Sequence, residues 1–208
     1  MITLKKTLFA ICFIALSSSL FAQIGVRAGI SIPNQNFEQD GVEFSFDNNL
    51  GLTLAALFEI GISDNFAIQP ELAFVQKGTK TKIELFGMTE ESKLRINYID
   101  IPVLAKFKFG TESIAAYVAA GPTFGYAITG STEENGDKTS FEDDDWDGYN
   151  RLEIGANAGA GIGIPMDVGM IFLDFRYLFS LTNLSDDSEI TYHNKGICIS
   201  IGFATGIQ

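Results

Sequence analysis

The sequence predicts an all-β fold, an eight-stranded antiparallel up-and-down transmembrane β-barrel. Three observations predict it. Eight segments alternate apolar and polar residues with period two, the spacing that sends side chains to opposite faces of a strand. The connections between these segments alternate long and short. One face of each segment is large and apolar, while the other mixes small residues with isolated charges instead of being uniformly polar.

The chain opens with MITLKKTLFAICFIALSSSLFAQ, a basic start (Lys5, Lys6), an apolar run (Leu8–Leu16) and a small residue at Ala22. This is the pattern of a secretory signal peptide cleaved between Ala22 and Gln23, and the apolar run is shorter than the ~20 residues of a spanning helix. Cys12 follows Ile11, where a lipidation site wants a small residue. Residues 1–22 are therefore expected to be an export signal and 23–208 a single barrel domain. Removing the signal leaves 186 of the 208 residues, takes the net charge from −12 to −14, and leaves Cys198 without a partner for an internal disulfide. An acidic chain without clustered Lys and Arg is a poor match for nucleic acid.

The segments follow in order. IGVRAGI (24–30) sets Ile24, Val26, Ala28 and Ile30 against Arg27. LGLTLAALFEI (50–60) sets Leu50, Leu52, Leu54, Ala56, Phe58 and Ile60 against Thr53 and Glu59. FAIQPELAF (66–74) sets Phe66, Ile68, Pro70, Leu72 and Phe74 against Gln69 and Glu71. VLAKFKF (103–109) sets Val103, Ala105, Phe107 and Phe109 against Lys106 and Lys108. IAAYVAAGPTFGYAI (114–128) sets Val118, Phe124, Tyr126 and Ile128 against Tyr117, Thr123 and small residues. RLEIGANAGAGIGI (151–164) sets Leu152, Ile154, Ile162 and Ile164 against Arg151, Glu153, Asn157 and glycines. MIFLDFRYLFSL (170–181) puts Ile171, Leu173, Phe175, Tyr177, Phe179 and Leu181 on one face and Asp174 and Arg176 on the other. GICISIGF (196–203) sets Ile197, Ile199, Ile201 and Phe203 against Cys198, Ser200 and Gly202. In LRINYIDIPV (94–103) the apolar positions change phase, from Leu94, Ile96 and Tyr98 to Ile99, Ile101 and Val103. A one-residue bulge near Tyr98–Asp100 or a solvent-exposed extension over 94–98 would each account for that.

Long polar connections (32–49, about 77–93, 130–149, 183–193) alternate with tight ones (61–65, 110–113, 165–168). All long connections then lie at one end and all short turns at the other, the asymmetry of an outer-membrane barrel. Lipid tolerates no open sheet edge, so the sheet must close, and eight strands enclose a bore that side chains fill. The inward charges nearly balance: Arg27, Lys106, Lys108, Arg151 and Arg176 against Glu59, Glu71, Glu153 and Asp174. Asp174 and Arg176 are expected to point inward, with Arg151, Glu153 and Arg27 as candidate partners. Gly155, Gly159, Gly161 and Gly163 are expected to make room for longer side chains from neighbouring strands.

The runs IQPELAFVQKG (68–78), INYIDIPVLAKFKF (96–109) and AAGPTFGYAI (119–128) resemble the outer-membrane β-barrel family of Bacteroidetes-type bacteria, labelled porin-like or PorT-like. The resemblance covers the mature chain, with NYIDIPVLAK its most specific element. It implies an eight-stranded outer-membrane barrel and no reaction. One departure is the ending GFATGIQ, where such barrels carry a terminal aromatic residue and this chain has Phe203.

No catalytic, cofactor-binding or metal residues are assigned, and no cofactor is expected. His193 with Ser185, Ser188, Asp186 and Asp187 reads as a hydrated loop, because a triad needs held geometry. Cys198 reads as a small inward residue. FEDDDWDGY (141–149) carries Asp143, Asp145, Asp147 and Gly148 as the first half of a calcium loop, but Ile154 stands where the closing Glu belongs. It reads as a solvated acidic tip, with weak calcium binding as the alternative, and Trp146 and Tyr149 suit a membrane interface. The expected protein is monomeric and non-enzymatic. It contacts outer-membrane lipid and, in a structural or interaction role, envelope or extracellular proteins. Two rivals are an enzyme on the same barrel acting on lipid or peptide, and a soluble periplasmic barrel with an apolar ligand.

Overall fold

Alternation becomes ladder pairing throughout the chain. The computed structural model describes residues 22–39, 42–45, 48–85, 88–111, 113–134, 136–187 and 190–206. The expected export signal therefore lies outside the described residues except for Ala22, which begins the first strand. Ten strands form among the described residues: β1 (Ala22–Gln39), β2 (Val42–Ser45), β3 (Gly51–Gly61), β4 (Phe66–Leu85), β5 (Met88–Gly110), β6 (Ala115–Glu134), β7 (Asp137–Ser140), β8 (Leu152–Met166), β9 (Gly169–Ser180) and β10 (Ile190–Gly206). Eight of them form an antiparallel ring in the order β1, β3, β4, β5, β6, β8, β9, β10. The ring closes where β10 pairs with β1, from Gln23↔Gly206 to Gln39↔Ile190. Closure removes the sheet edges that lipid could not satisfy. Short β2 and β7 are added to β1 and β6 beyond the ring.

The large apolar faces point outward. Leu52, Phe107, Ile164, Leu173 and Ile201 are each half or more exposed, and their same-strand neighbours Thr53, Lys106, Asp174 and Ser200 are buried. An apolar exterior around a charged interior is the reverse of a soluble binder, and it overturns the periplasmic-barrel alternative. The belt spans Ile99 to Phe109 on β5. At ~3.4 Å per residue and ~40° tilt, that run is about 25 Å tall, the height of a bilayer's apolar band.

Two expectations are corrected. Much of each long connection is strand rather than loop. β3 and β9 have 11 and 12 residues, close to the ~9–11 needed to cross a bilayer. β4, β5 and β6 have 20, 23 and 20. The β3–β4 ladder stops at Thr53↔Val75, while β4–β5 continues to Leu85↔Met88. The polar segment 77–93 is therefore a hairpin, favoured by β-branched Thr79, Thr81 and Ile83. The second correction concerns the phase change. β5 keeps one phase, with Ile96, Tyr98, Asp100, Pro102, Leu104 and Lys106 all buried. The bulge lies on β6, where Asn97↔Thr129 is followed by Tyr98↔Ala127 and Ile128 is the extra residue. Ile96 and Tyr98 face inward because they pack with Ala127 under Leu94, Trp146 and Tyr149, closing the top of the bore.

Candidate functional site

The inward-facing polar residues form a column along the bore, in three linked groups. Near the short-turn end, Glu59 on β3 accepts hydrogen bonds from Lys106 Nζ and Lys108 Nζ on β5, each at 2.8 Å. Lys106 also donates to Gln69 Oε1 at 2.9 Å and sits 4.0 Å from the centre of the Tyr117 ring. Gln69 Nε2 then donates to Glu71 Oε1 at 2.5 Å, which joins this group to the next.

Glu71 is the centre of the column. Its side chain is fully buried. Arg176 reaches it across the bore with Nη1 at 2.9 Å and Nη2 at 2.8 Å. Arg27 reaches the same carboxylate with Nη2 at 3.1 Å and gives Nη1 to Ser200 Oγ at 3.2 Å. Arg176 Nε also lies 2.6 Å from Asp174 Oδ1, and Tyr117 donates to Asp174 Oδ2 at 2.6 Å. Tyr117 fits because Gly161 stands opposite: a Cβ there would run into its ring. Gly159 and Gly163 likewise leave room for Arg176 and Met170, as expected of these glycines.

Toward the long-hairpin end, Lys77 Nζ bridges Asp100 at 3.1 Å and Glu153 at 3.0 Å, and lies 4.2 Å from the Tyr98 ring centre. Glu153 Oε2 accepts Asn194 Nδ2 at 2.7 Å, and Asn194 Oδ1 accepts Gln35 Nε2 at 2.9 Å. Above them the Tyr98 and Tyr149 hydroxyls meet at 2.6 Å.

Among the described residues, the column holds Arg27, Lys77, Lys106, Lys108 and Arg176 against Glu59, Glu71, Asp100, Glu153 and Asp174, a formal sum of zero. Each of the ten has an ion-pair partner. An uncompensated buried charge costs several kcal/mol, so neutrality is what lets so many charges sit under an apolar wall. A cavity of about 540 Å³ at the short-turn mouth is lined by Glu59, Lys106, Lys108, Tyr117, Asp167 and Met170. A second, of about 20 Å³, lies beside Lys77, Glu153, Asn194 and Cys198, room for about one water.

Asp174 and Arg176 point inward as expected, but not toward the expected partners. The residue opposite Asp174 on β8 is Gly161, eight positions along that strand from Glu153. The stagger thus lifts Glu153 to the level of Lys77, and Arg176 finds Glu71 across the bore. Arg151 is outside the column. It precedes β8, donates Nε to the Ala127 carbonyl at 3.0 Å, and its guanidinium lies 4.4 Å from the Trp146 ring and 5.0 Å from that of Tyr126. Lys77 and Asp100 were missed. Extending the odd phase of Gln69 and Glu71 would have reached Lys77, and extending the even phase of Lys106 would have reached Asp100.

The other sequence candidates stay apart. His193 Nδ1 is buried with no hydrogen-bond partner among the described residues. Ser185 Oγ instead accepts the Asp187 backbone N–H at 3.1 Å, and Ser188 lies outside the described residues. Cys198 is buried and inward-facing. Residues 143–146 form a single 3-10 turn, and the Asp145 carboxylate accepts the Glu142 N–H at 2.7 Å. Tyr149 is turned in over the bore, where it meets the hydroxyl of Tyr98, rather than out toward a lipid interface; Trp146 packs edge-on to Phe141.

The outer membrane protein beta-barrel domain family matches residues 16–186. Among solved structures, the chain is similar to neisserial surface protein A (NspA), with a TM-score of 0.50, 11% identity and coverage of 88% of this chain and 96% of that one. It is also similar to a major outer membrane protein from Thermus thermophilus (TM-score 0.46, 11% identity, 88% and 99% covered). A third is Ail, the attachment invasion locus protein of Yersinia pestis (TM-score 0.42, 16% identity, 88% and 98% covered). No curated protein sequence matches the chain.

Proposed function

The chain belongs to the outer membrane protein beta-barrel domain family and resides in the outer membrane, and we propose that it serves there as a non-enzymatic structural and interaction protein. In this reading the barrel is a closed anchor for a β-extension held outside the membrane. The observation that carries it is the β4–β5 ladder, which runs on to Leu85↔Met88, far beyond the last β3–β4 pair at Thr53↔Val75. β6 and β7 widen that extension into a four-stranded surface. A matched charge column supports the anchor role, since its side chains are engaged with one another.

Residues 1–22 act as the export signal, and the barrel works as a monomer in contact with lipid and with envelope or extracellular proteins. The runs around NYIDIPVLAK favour the Bacteroidetes-type, PorT-like branch of the family. Incubating the purified protein with phospholipid and peptide substrates tests the non-enzymatic part: no turnover is expected. Hydrolysis abolished by His193→Ala would overturn it. Replacing residues 80–92 by a tight turn tests the anchor part: the barrel should still fold and keep its heat-dependent gel mobility. Failure to fold would make the extension part of the barrel's stability rather than its contact surface.

A further inference from the structure

The outer face of β4, β5 and β6 changes character at one height. Ile99, Ile101 and Val103 on β5 face lipid, with Phe74 on β4 and Tyr126 and Ile128 on β6 beside them. The next outward row is polar and internally bonded: Gln76 Nε2 donates to Asn97 Oδ1 at 3.0 Å, and Asn97 Nδ2 to Thr129 Oγ1 at 2.7 Å. The row above it is Gly78, Arg95 and Ser131. Above that come Lys80, Lys93 and Glu133, then Lys82 and Glu91.

Within a chain of net charge −12, the outward rows of β4, β5 and β6 from Arg95 up to Lys82↔Glu91 carry Lys80, Lys82, Lys93 and Arg95 against Glu91 and Glu133, an excess of two positive charges. The lysines are partnered: Glu91 lies 2.8 Å from Lys80, 3.0 Å from Lys93 and 3.7 Å from Lys82, and Glu133 lies 3.0 Å from Lys93. Arg95 makes no contact ion pair of this kind among the described residues, although, behind the hydrogen bond from Lys93, its charge helps hold the Glu133 carboxyl below its ordinary range. Its Nε is shut off from solvent with no hydrogen-bond partner among the described residues. An unsatisfied buried donor costs ~1–3 kcal/mol, more when charged, while Arg95 as a whole is only partly buried. Its neighbours in the row, Gly78 and Ser131, are small. Four residues above Ile99 on a tilted strand place it about 10 Å beyond the apolar belt, at the level of lipid headgroups.

We propose that Arg95, with Ser131 beside it and Lys80 and Lys93 above, binds a phosphate of an outer-leaflet phosphorylated glycolipid. The guanidinium fork matches phosphate oxygens in a bidentate way. The Ser131 hydroxyl supplies a further donor, and the acyl chains of the same lipid lie along Ile99, Ile101 and Phe74. The lipid, rather than free phosphate, is the occupant because the cationic row stands just one polar row above the apolar belt.

The test is native mass spectrometry of the purified barrel in detergent, titrated with diphosphorylated lipid A and with its dephosphorylated form. One lipid should bind, with preference for the phosphorylated form. Arg95→Gln should weaken it by about fivefold or more, the effect of one cation at a membrane surface. Ser131→Asp, on a different strand, should weaken it comparably by placing an anion beside Arg95. Heat-dependent gel mobility checks that each variant remains a folded barrel. Equal affinity for both lipid forms, or unchanged affinity in both variants, would overturn the site. Displacement of the lipid by low-millimolar inorganic phosphate would overturn the assignment to a lipid.

Discussion

Replacing Glu71 by Gln removes one charge at the centre of the bore and leaves the shape of the side chain intact. Two guanidiniums then face an amide. Arg176 keeps Asp174 at 2.6 Å, whereas Arg27 keeps only the Ser200 hydroxyl at 3.2 Å among the described residues. The column, neutral in the wild type, is left with about one uncompensated buried cation. At 3.1 Å and an effective dielectric constant of ~20, the lost Arg27–Glu71 attraction is about 5 kcal/mol, within the ~3–5 kcal/mol range for breaking a buried pair from one side. The assay is urea unfolding of the refolded barrel in lipid vesicles, followed by fluorescence of Trp146, the single tryptophan, and by gel mobility. Glu71→Gln should lose about 3–5 kcal/mol. Adding Arg27→Gln restores neutrality, so the double variant should be more stable than Glu71→Gln alone by roughly 2 kcal/mol, a coupling read from the double-mutant cycle. If the single variant lies within about 1 kcal/mol of wild type, or if the second substitution only destabilises further, charge matching does not hold the bore together.

Further outcomes follow from the same geometry. Gly161→Ala pushes a methyl into the Tyr117 ring and should tip its hydroxyl off Asp174, costing about 1–3 kcal/mol in the same unfolding assay; Tyr117→Ala in that background should recover part of the loss. On the hairpin outside the membrane, hydrogen bonds from Lys80 and Lys93 hold the Glu91 carboxyl down from 4.5 to about 2. A depressed carboxyl stabilises the folded form fully above its unfolded value and loses that contribution as pH falls through the folded one. Amide-exchange protection at residues 80–93 should therefore hold at pH 5 and decline between about pH 4.5 and 2, and Glu91→Gln should remove the decline. Arg151→Gln should loosen the 141–151 segment over Trp146, seen as a shift in its emission, while leaving barrel stability unchanged to within about 0.5 kcal/mol.

The ring and its orientation were legible because period-two alternation needs only local sequence. Ile171 to Leu181 fix the outer face of β9, and Asp174 and Arg176 the inner one. The glycines of β8 were legible for the same reason, since large inward residues on one strand demand space on the next. Partners across the bore were not, because they depend on stagger: Glu153 and Asp174 are near in sequence yet sit at different heights, and Glu71 meets Arg176 from four strands away around the ring. Lys77 and Asp100 were hidden by composition. Lys77 lies where the segment turns polar, and Ile96 and Tyr98 beside Asp100 are apolar residues facing inward, which alternation misreads as a change of phase. The long hairpin was hidden because strands outside the membrane need no apolar face, so its pairing leaves no hydrophobic signature.

The central claim is that matched side chains fill the bore above the short-turn mouth, from Glu71 to Tyr149. Planar-bilayer recording of the purified protein in molar potassium chloride tests it most directly. No stable conductance steps are expected from wild type, because an eight-stranded bore filled by paired charges leaves no water channel. Stable, porin-like steps from wild-type protein, present in every preparation and scaling with the amount inserted, would contradict the account.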